Sequence, residues 1–229
     1  MKEFPTGLLT IVQERFRSDL QLDLRSQLYL ASRGVTPSEI EEFEIGSGVR
    51  ASGSLASLRK RLVIPLRDVY GDLIGFCGRS VYGGRPPYIY LPRGVRVSRC
   101  LFNLHRVVKK CEGQTRSVIP LLVEGPFDAI SCSRAGVWVV CSYLGSRITV
   151  HQACLLSRYF SKVRLVPDTD STGRGLSSDN VKTLNRVLLD VEVIALPRNY
   201  KDLDEYLCGG GDIYSLLELP LNSLLLDLR

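Results

Sequence analysis

The chain has 229 residues, 45% of them hydrophobic, and a formal net charge of +6 at pH 7. This composition is ordinary for a globular protein of one large or two small domains, and it excludes an intrinsically disordered chain. No run of about 18 apolar residues occurs, and residues 1–30 hold no basic segment followed by an apolar core. We therefore expect neither export nor a membrane span, and we predict a cytoplasmic protein.

The amino-terminal segment predicts helices. Residues 8–30 carry apolar side chains at helical spacing, interrupted near residues 18–23, which predicts one or two short helices. Residues 34–39 then combine a glycine that ends a helix with a new helix start, for which Thr36 or Ser38 is the cap and Glu39 lies in the first turn. We interpret these helices as scaffold.

Basic residues are concentrated in the next segment. Residues 45–116 contain fourteen Lys or Arg against three Asp or Glu, a net charge of +11, so the remainder of the chain carries −5. A basic segment beside an acidic one indicates that the basic segment binds the phosphate backbone of a nucleic acid and that the acidic segment binds metal. A merely solvated basic face is the alternative.

This basic segment also predicts a small sheet. Residues 62–66 and 73–76 have the pattern of strands joined by a turn at 70–72, and a loop at 83–87 leads into a third extended stretch. Arginines recur in these strands and loops, and an arginine side chain can grip phosphate with a planar fork. Tyr82, Tyr88 and Tyr90 offer ring faces on which unpaired bases could stack, although a single tyrosine more often packs in a core or at its rim.

From residue 118 onward, predicted strands alternate with predicted helices. The strands are 118–123, 137–142, 162–166 and 191–196, and the helices between them are 127–135, 149–160 and 176–188. This alternation predicts right-handed crossovers and an α/β fold whose mostly parallel sheet is covered by helices on both faces. Ligands of such sheets gather at the carboxyl ends of the strands.

Acidic residues follow two of these strands. Glu124 ends the first strand just before Gly125, while Asp168 and Asp170 follow the third at a spacing that points both side chains the same way in extended backbone. Carboxylates this close repel one another, and hard oxygen ligands suit Mg²⁺ or Mn²⁺. Asp128, one helical turn after Glu124, is a fourth candidate ligand.

Each of these stretches alone has a plainer explanation. Glu124 and Asp128 could simply complement a helix dipole, and residues 168–173 could be an acidic turn. After the second strand, Gly145 lets the backbone approach a ligand and Ser146 can bond a phosphate, but an ordinary turn explains them almost as well.

Cysteine and histidine show no metal-ligand spacing. None of the seven cysteines forms a C-x-x-C pair, and the two histidines, His105 and His151, are far apart. This pattern favours buried free thiols in a reducing compartment, and it predicts that the chain binds no zinc.

Taken together, the motifs resemble a known domain. Glu124-Gly125 after a strand, Leu144-Gly145-Ser146, and Asp168-x-Asp170-x-x-Gly173-Arg174 are similar to the TOPRIM domain of bacterial-type primases, topoisomerases and some nucleases. The flanking segments narrow the resemblance to the RNA polymerase core of DnaG-type primases; they are residues 31–35, 40–46, 61–68 and 75–79. The match runs from about residue 28 to residue 225.

The resemblance implies a domain plan and a set of site residues. Residues 1–116 would form a basic α+β amino-terminal subdomain, 117–211 a TOPRIM subdomain with a Rossmann-like sheet, and 212–229 a carboxy-terminal helix. Glu124, Asp168 and Asp170 would be catalytic, and two or more Mg²⁺ or Mn²⁺ ions would be held by them together with Asp128, Asp202 and Asp204. The implied contacts to nucleic acid and nucleotide are Arg61, Arg67, Arg79, Arg85, Arg96, Arg99, Ser146 and Arg174.

The sequence departs from the family at three places. Pro87 stands where the family has a lysine, residues 96–99 replace a His-Lys-Gly step, and Leu203 replaces the proline between Asp202 and Asp204. Arg96 and Arg99 are the nearest substitutes for the missing lysines. On sequence alone, Asp202 is equally well explained as a helix cap.

The expected function is that of a DNA primase, which makes short RNA primers on single-stranded DNA from ribonucleoside triphosphates. The alternatives are a TOPRIM nuclease and an inactive single-stranded-DNA-binding replisome subunit; a topoisomerase would need a strand-attacking tyrosine in a separate domain. We also expect the family's zinc-binding and helicase-binding domains to be missing. A zinc-module protein or a replicative helicase would then act in trans, as in a phage or mobile element.

Overall fold

The computed structural model describes residues 6–91, 97–111, 113–169 and 171–218. The chain divides into two compact units, Met1–Val97 and Ser98–Arg229. We had predicted a boundary after residue 116, but the residues that follow Val97 bond to the second unit. Phe102 forms a bridge with Ser142, and the buried Gln152 side chain donates to the carbonyl of Cys100 at 2.8 Å.

In its described residues, the first unit combines three α-helices with an antiparallel sheet. The helices are α1 (Thr6–Leu20), α2 (Leu24–Ser32) and α3 (Pro37–Glu42). The sheet has the order β1-β2-β3-β4, with β1 at Gly46–Ser47, β2 at Arg61–Arg67, β3 at Leu73–Ser80 and β4 at Tyr88–Leu91. The predicted break between α1 and α2 and the predicted strands are confirmed, whereas the two-residue β1 is too short to leave a pattern.

Capping side chains explain where two of these helices begin. Thr36, and not Ser38, caps α3, since its hydroxyl accepts the Glu39 N–H at 3.3 Å and the Glu39 carboxylate accepts the Thr36 N–H at 2.7 Å. Asp23 caps α2 and also accepts hydrogen bonds from the hydroxyls of Ser47 and Tyr82, at 2.6 and 2.8 Å. Burial alone would raise the pKa of Asp23, but these hydrogen bonds outweigh it and lower the pKa. The buried Asp23 carboxylate thus ties α2 to β1 and to the segment after β3.

Helix α1 packs closely on the sheet of the first unit. The rings of Phe16 and Phe76 meet edge to face with centroids 5.2 Å apart, inside a cluster of buried apolar side chains. Beside them, a Cβ on Gly46 would lie 2.5 Å from the carbonyl carbon of Phe16. Glycine is therefore required where β1 passes under α1.

The second unit is built on a parallel sheet. Its strands are β5 (Leu121–Val123), β6 (Val140–Ser142), β7 (Lys162–Leu165) and β8 (Asp190–Val193), in the order β6-β5-β7-β8. Its helices are α4 (Leu104–Lys110), α5 (Pro126–Arg134), α6 (Val150–Tyr159), α7 (Ser171–Asn185), α8 (Leu203–Cys208) and α9 (Ile213–Glu218). The strands are shorter than predicted, and α4 was not predicted.

The order of the strands decides where the helices lie. The chain passes from β5 to β6 in one direction, then returns across β5 to β7 and continues to β8. With right-handed crossovers, α5 covers one face of the sheet and α6 and α7 cover the other. The α/β fold with helices on both faces is confirmed. In the described ranges, no helix is both long enough and apolar enough to cross a bilayer.

Several predicted features lie outside the described residues. They are Asp170, Arg96, the side chain of Arg174, and the part of the predicted carboxy-terminal helix beyond α9.

We expect Gly46→Ala to lower the free energy of unfolding by about 1–3 kcal/mol, because its methyl group would overlap the backbone of α1. Gly7→Ala is the matched control: it adds the same methyl to an exposed position of α1 with nothing within 4 Å, and it should stabilise the helix by up to about 1 kcal/mol. Urea unfolding measures both changes. Equal losses in the two variants would contradict the close packing.

Candidate active site at the carboxyl edge of the parallel sheet

Glu124 and Asp168 lie at the carboxyl ends of adjacent strands. Glu124 follows β5 directly, and Asp168 follows β7 after two residues. Strands β5 and β7 pair in parallel, with Leu122 opposite Leu165. The connections leave these two strands in opposite directions, so this is the topological switch point at which open α/β sheets bind their ligands.

The loop after β6 holds the backbone of Glu124 in place. The carbonyl of Glu124 accepts the Leu144 N–H at 3.1 Å and the Ser142 hydroxyl at 2.7 Å. Leu144 adopts a left-handed conformation with φ 59°, which turns the chain away from the sheet. Ser146 is exposed in this loop, and its carbonyl accepts a hydrogen bond at 3.2 Å from the buried Asn180 of α7. No pattern in the sequence indicated this role of Asn180.

A second set of hydrogen bonds joins the loop after β7 to the segment before α8. The Thr169 N–H donates to the carbonyl of Lys201 at 2.8 Å, and its hydroxyl donates to the carbonyl of Tyr200 at 2.6 Å. Asp202 then caps α8 by accepting the Glu205 N–H at 2.8 Å. These bonds tie the loop that carries Asp168 to the segment that leads into Asp202.

Asp128 and Asp204 are buried between α5 and α8. Asp128 is 6% exposed and accepts the backbone N–H groups of Gly125 and Asp204 at 2.9 and 3.0 Å. Asp204 is 2% exposed and accepts the hydroxyl of Ser131. Both are predicted metal ligands, and their hydrogen bonds brace the start of α5 against the start of α8.

The acids at this edge are close enough to interact electrostatically. Burial, and after it the charges of Asp202 and Asp168, raise the pKa of Asp128 to about 8, although its two hydrogen bonds lower it. The pKa of the buried Tyr143 hydroxyl is also raised, first by burial and then by Glu124, Asp168 and Asp128. Acids from three separate segments therefore share one neighbourhood.

This set of donors fits a hard divalent cation. Glu124, Asp168 and Asp202 are partly exposed and offer carboxylate oxygens, the ligands that Mg²⁺ and Mn²⁺ prefer. Within the described ranges, which omit Asp170, no three acidic, histidine or cysteine side chains converge to hold an ion by themselves. Mg²⁺ is usually bound by one or two carboxylates, with water and phosphate completing its coordination shell. The donors present are consistent with that coordination.

Two of the predicted phosphate-binding arginines are bonded within the first unit. Arg61 is 9% exposed and donates to the carbonyls of Gly78, Pro86 and Pro87 at 3.0–3.3 Å. Arg67 forms a bidentate pair with Glu44 at 2.9 and 2.8 Å. Their side chains therefore stabilise the sheet and its neighbouring turns.

The other predicted phosphate-binding arginines that the structure describes are not buried by carbonyl or carboxylate partners in this way. Arg79 lies between the rings of Tyr29 and Tyr88, whereas Arg85 and Arg99 are exposed. Tyr29 was not singled out from the sequence, since a tyrosine inside a helical pattern is normally part of the packing.

Comparison with known proteins agrees with this arrangement. Residues 121–207 match the Toprim-like family model, a range that includes both strands with their acids, α5 and α8. The DNA primase of Clostridium acetobutylicum is 32% identical over 186 residues, which cover 80% of this chain. The chain is a homologue of the catalytic core of DnaG-type primases.

Solved primase structures share the fold of this chain. The Aquifex aeolicus primase, comprising zinc-binding and RNA polymerase domains, superposes with a TM-score of 0.80 at 26% identity, covering 93% of this chain and 60% of that one. A DnaG primase catalytic domain bound to single-stranded DNA gives 0.79 at 21% identity, covering 97% and 84%. The chain spans only 30% of the length of the Clostridium primase. Toprim primases as a family are metal-dependent.

The pKa of Asp128 gives a direct test of the acidic neighbourhood. Without metal its carboxyl should titrate near pH 8, and Asp202→Asn should lower that pKa because it removes a neighbouring charge while keeping a capping side chain. Since the folded pKa lies above the usual 3.8, the free energy of unfolding should fall as pH rises from about 4 to about 8, less steeply in the variant. Carboxyl ¹³C NMR and urea unfolding measure the two effects.

Asp190→Asn is the control for this experiment, because Asp190 is exposed on β8 and pairs with Lys162. It should leave the pKa of Asp128 unchanged. A wild-type Asp128 that titrates near its usual pH would show that the acids do not share one neighbourhood.

Proposed function

We propose that the chain carries the polymerase activity of a DNA primase, which joins ribonucleoside triphosphates into short RNA primers on a single-stranded DNA template. One observation carries this proposal: acids gather at the switch point between β5 and β7 in a chain that is homologous to primase catalytic cores over four-fifths of its length. The single-stranded DNA bound by one structural neighbour supports the choice of template.

In the proposed reaction, Glu124 and Asp168, together with Asp170, would hold Mg²⁺ or Mn²⁺. Two or more such ions, when bound, would neutralise phosphate charge and help to activate the 3′-hydroxyl of the primer. The protein's own part is to position Glu124 and Asp168. The Ser142 hydroxyl donates to the Glu124 carbonyl, and the Thr169 N–H, next to Asp168, donates to the Lys201 carbonyl, so both segments are held without substrate. Asp202 adds a partly exposed carboxylate, and Asp128 and Asp204 keep α5 and α8 together.

Contacts to the substrates are assigned from the exposed cations and the loop after β6. Arg79, Arg85 and Arg99 would hold DNA phosphates, and Ser146 would bond a phosphate of the nucleotide. We extend the nucleotide contacts to Arg96 and Arg174 on the family pattern alone. A zinc-module protein or a replicative helicase is the proposed partner, and no zinc is assigned to the described residues.

We expect Asp168→Asn to reduce primer synthesis by about 100-fold or more while single-stranded DNA binding is retained, because it removes a charge that positions the metal. The measurement is incorporation of labelled ribonucleotides on unprimed single-stranded DNA with Mg²⁺ or Mn²⁺. Asp179→Asn makes the same chemical change at a half-exposed position of α7, paired with Arg147, and should remain active.

The other outcomes separate the alternatives. Metal-dependent cleavage of the DNA without synthesis would identify a nuclease. Binding of DNA with neither synthesis nor cleavage would identify a replisome binding subunit, and equal synthesis by Asp168→Asn and wild type would remove the sheet edge as the active site.

A further inference from the structure

Arg79 is held between two tyrosine rings. It lies near the end of β3 directly opposite Tyr88 of β4, and its guanidinium carbon is 4.7 Å from the centre of the Tyr88 ring. On α2, the Tyr29 ring centre is 5.8 Å away, and the Tyr29 hydroxyl accepts a hydrogen bond from Arg79 Nε at 3.1 Å. Two stacking contacts and one hydrogen bond therefore fix the plane and the rotation of this guanidinium.

Two other arginines of the first unit are paired with carboxylates, whereas Arg79, within the described ranges, is not. Arg67 pairs with Glu44 and Arg50 pairs with Asp19. Among the described residues, no carboxylate pairs with Arg79, and its two terminal nitrogens donate to no residue of that part of the chain. A fixed fork whose outer nitrogens are available is the geometry that grips a phosphate with two parallel hydrogen bonds.

The surroundings of Arg79 add positive charge. The Arg33 guanidinium lies 5.2 Å from the centre of the same Tyr29 ring, so two cations share one aromatic side chain. An open groove of about 650 Å³ beside Tyr29 is lined by Leu24, Leu28 and Tyr82 among others, and Arg25 stacks on Tyr82 at 4.8 Å. The acid in this groove, Asp23, is 2% exposed and is satisfied by its own hydrogen bonds. Anions are therefore attracted here.

We propose that Tyr29 is a positioning residue for nucleic-acid binding: with Tyr88 it holds the Arg79 fork to receive a phosphodiester of single-stranded DNA. The identity of the strand rests on the proposed function, whereas the roles of Tyr29 and Arg79 rest on the geometry. A phosphate contact carries a counterion-release effect, but a residue that only orients the contact does not.

The test is a double-mutant cycle read by the anisotropy of a fluorescent oligo-dT at several salt concentrations. Arg79→Ala should weaken binding by about 10-fold and reduce the salt slope by about 0.7, the value for one phosphate on a single strand. Tyr29→Leu should weaken binding by about 5-fold in wild type and by nothing further in Arg79→Ala, since it acts through the arginine. Tyr29→Phe keeps the ring and loses only the hydroxyl, so it should fall between wild type and Tyr29→Leu.

Tyr70→Leu is the matched control. Tyr70 is 83% exposed in the turn that precedes β3, whereas Arg79 lies near the other end of that strand. Loss of the Tyr70 ring should leave affinity and salt slope unchanged. Circular dichroism checks that each variant is folded. If Tyr29→Leu does not fold, Tyr29→Phe in both Arg79 backgrounds completes the cycle.

Three results would overturn the inference: full affinity in Arg79→Ala, equal losses from the Tyr29 change with and without Arg79, or no binding of oligo-dT by the wild-type chain. These results are distinct from a failure of the proposed function. A chain that makes no primers but shows the expected cycle would keep the Arg79 site and lose the primase assignment. A chain that makes primers while Arg79→Ala and Tyr29→Leu bind oligo-dT normally would keep the primase assignment and lose the Arg79 site.

Discussion

Repulsion among carboxylates at one edge of the parallel sheet is the constraint around which the second unit is built. Strands β5 and β7 are neighbours with connections that leave in opposite directions, so Glu124 and Asp168 meet at the switch point. Hydrogen bonds from the loop after β6 and from Thr169 hold the two acidic segments. Burial and the neighbouring acids together raise the pKa of Asp128 to about 8, and such repulsion opposes folding wherever the acids ionise.

The loss of stability caused by repulsion among these acids has a functional interpretation. Acids arranged before a cation arrives need no rearrangement when it binds, and preorganisation of this kind is the main source of electrostatic catalysis. The buried residues Asp128 and Asp204 join α5 to α8, while Glu124, Asp168 and Asp202 are partly exposed. Under the proposed function, a bound divalent cation would relieve the repulsion and stabilise the fold.

Arginines of the first unit divide into two classes by their partners. Arg61 and Arg67 satisfy carbonyls and a carboxylate within the unit, and their removal would leave buried acceptors or an unpaired acid. Arg79 is instead oriented by aromatic rings, which fix a guanidinium without neutralising it. The position of an arginine along a basic segment therefore does not tell whether it has a partner within the unit.

Much of the fold could be predicted because its signals are local. The break between α1 and α2, the cap at Thr36 and the alternation of strands and helices follow from apolar spacing and capping chemistry, and they were confirmed. Helix α4 was missed because its short pattern, residues 104–110, lies inside a basic segment where charge dominated the interpretation.

The sequence by itself determined that acids would follow β5 and β7 at one sheet edge, because the carboxyl ends of parallel strands lie on the same side. Only the tertiary structure decided which acids are exposed to solvent and which arginines bond to other groups of the protein. Asp128 is buried because α8, far along the chain, covers it. Arg67 forms an ion pair because the carboxylate of Glu44, 23 residues away, lies beside it. Such partners are chosen by packing between distant segments, and the spacing of residues within one segment carries no record of that choice.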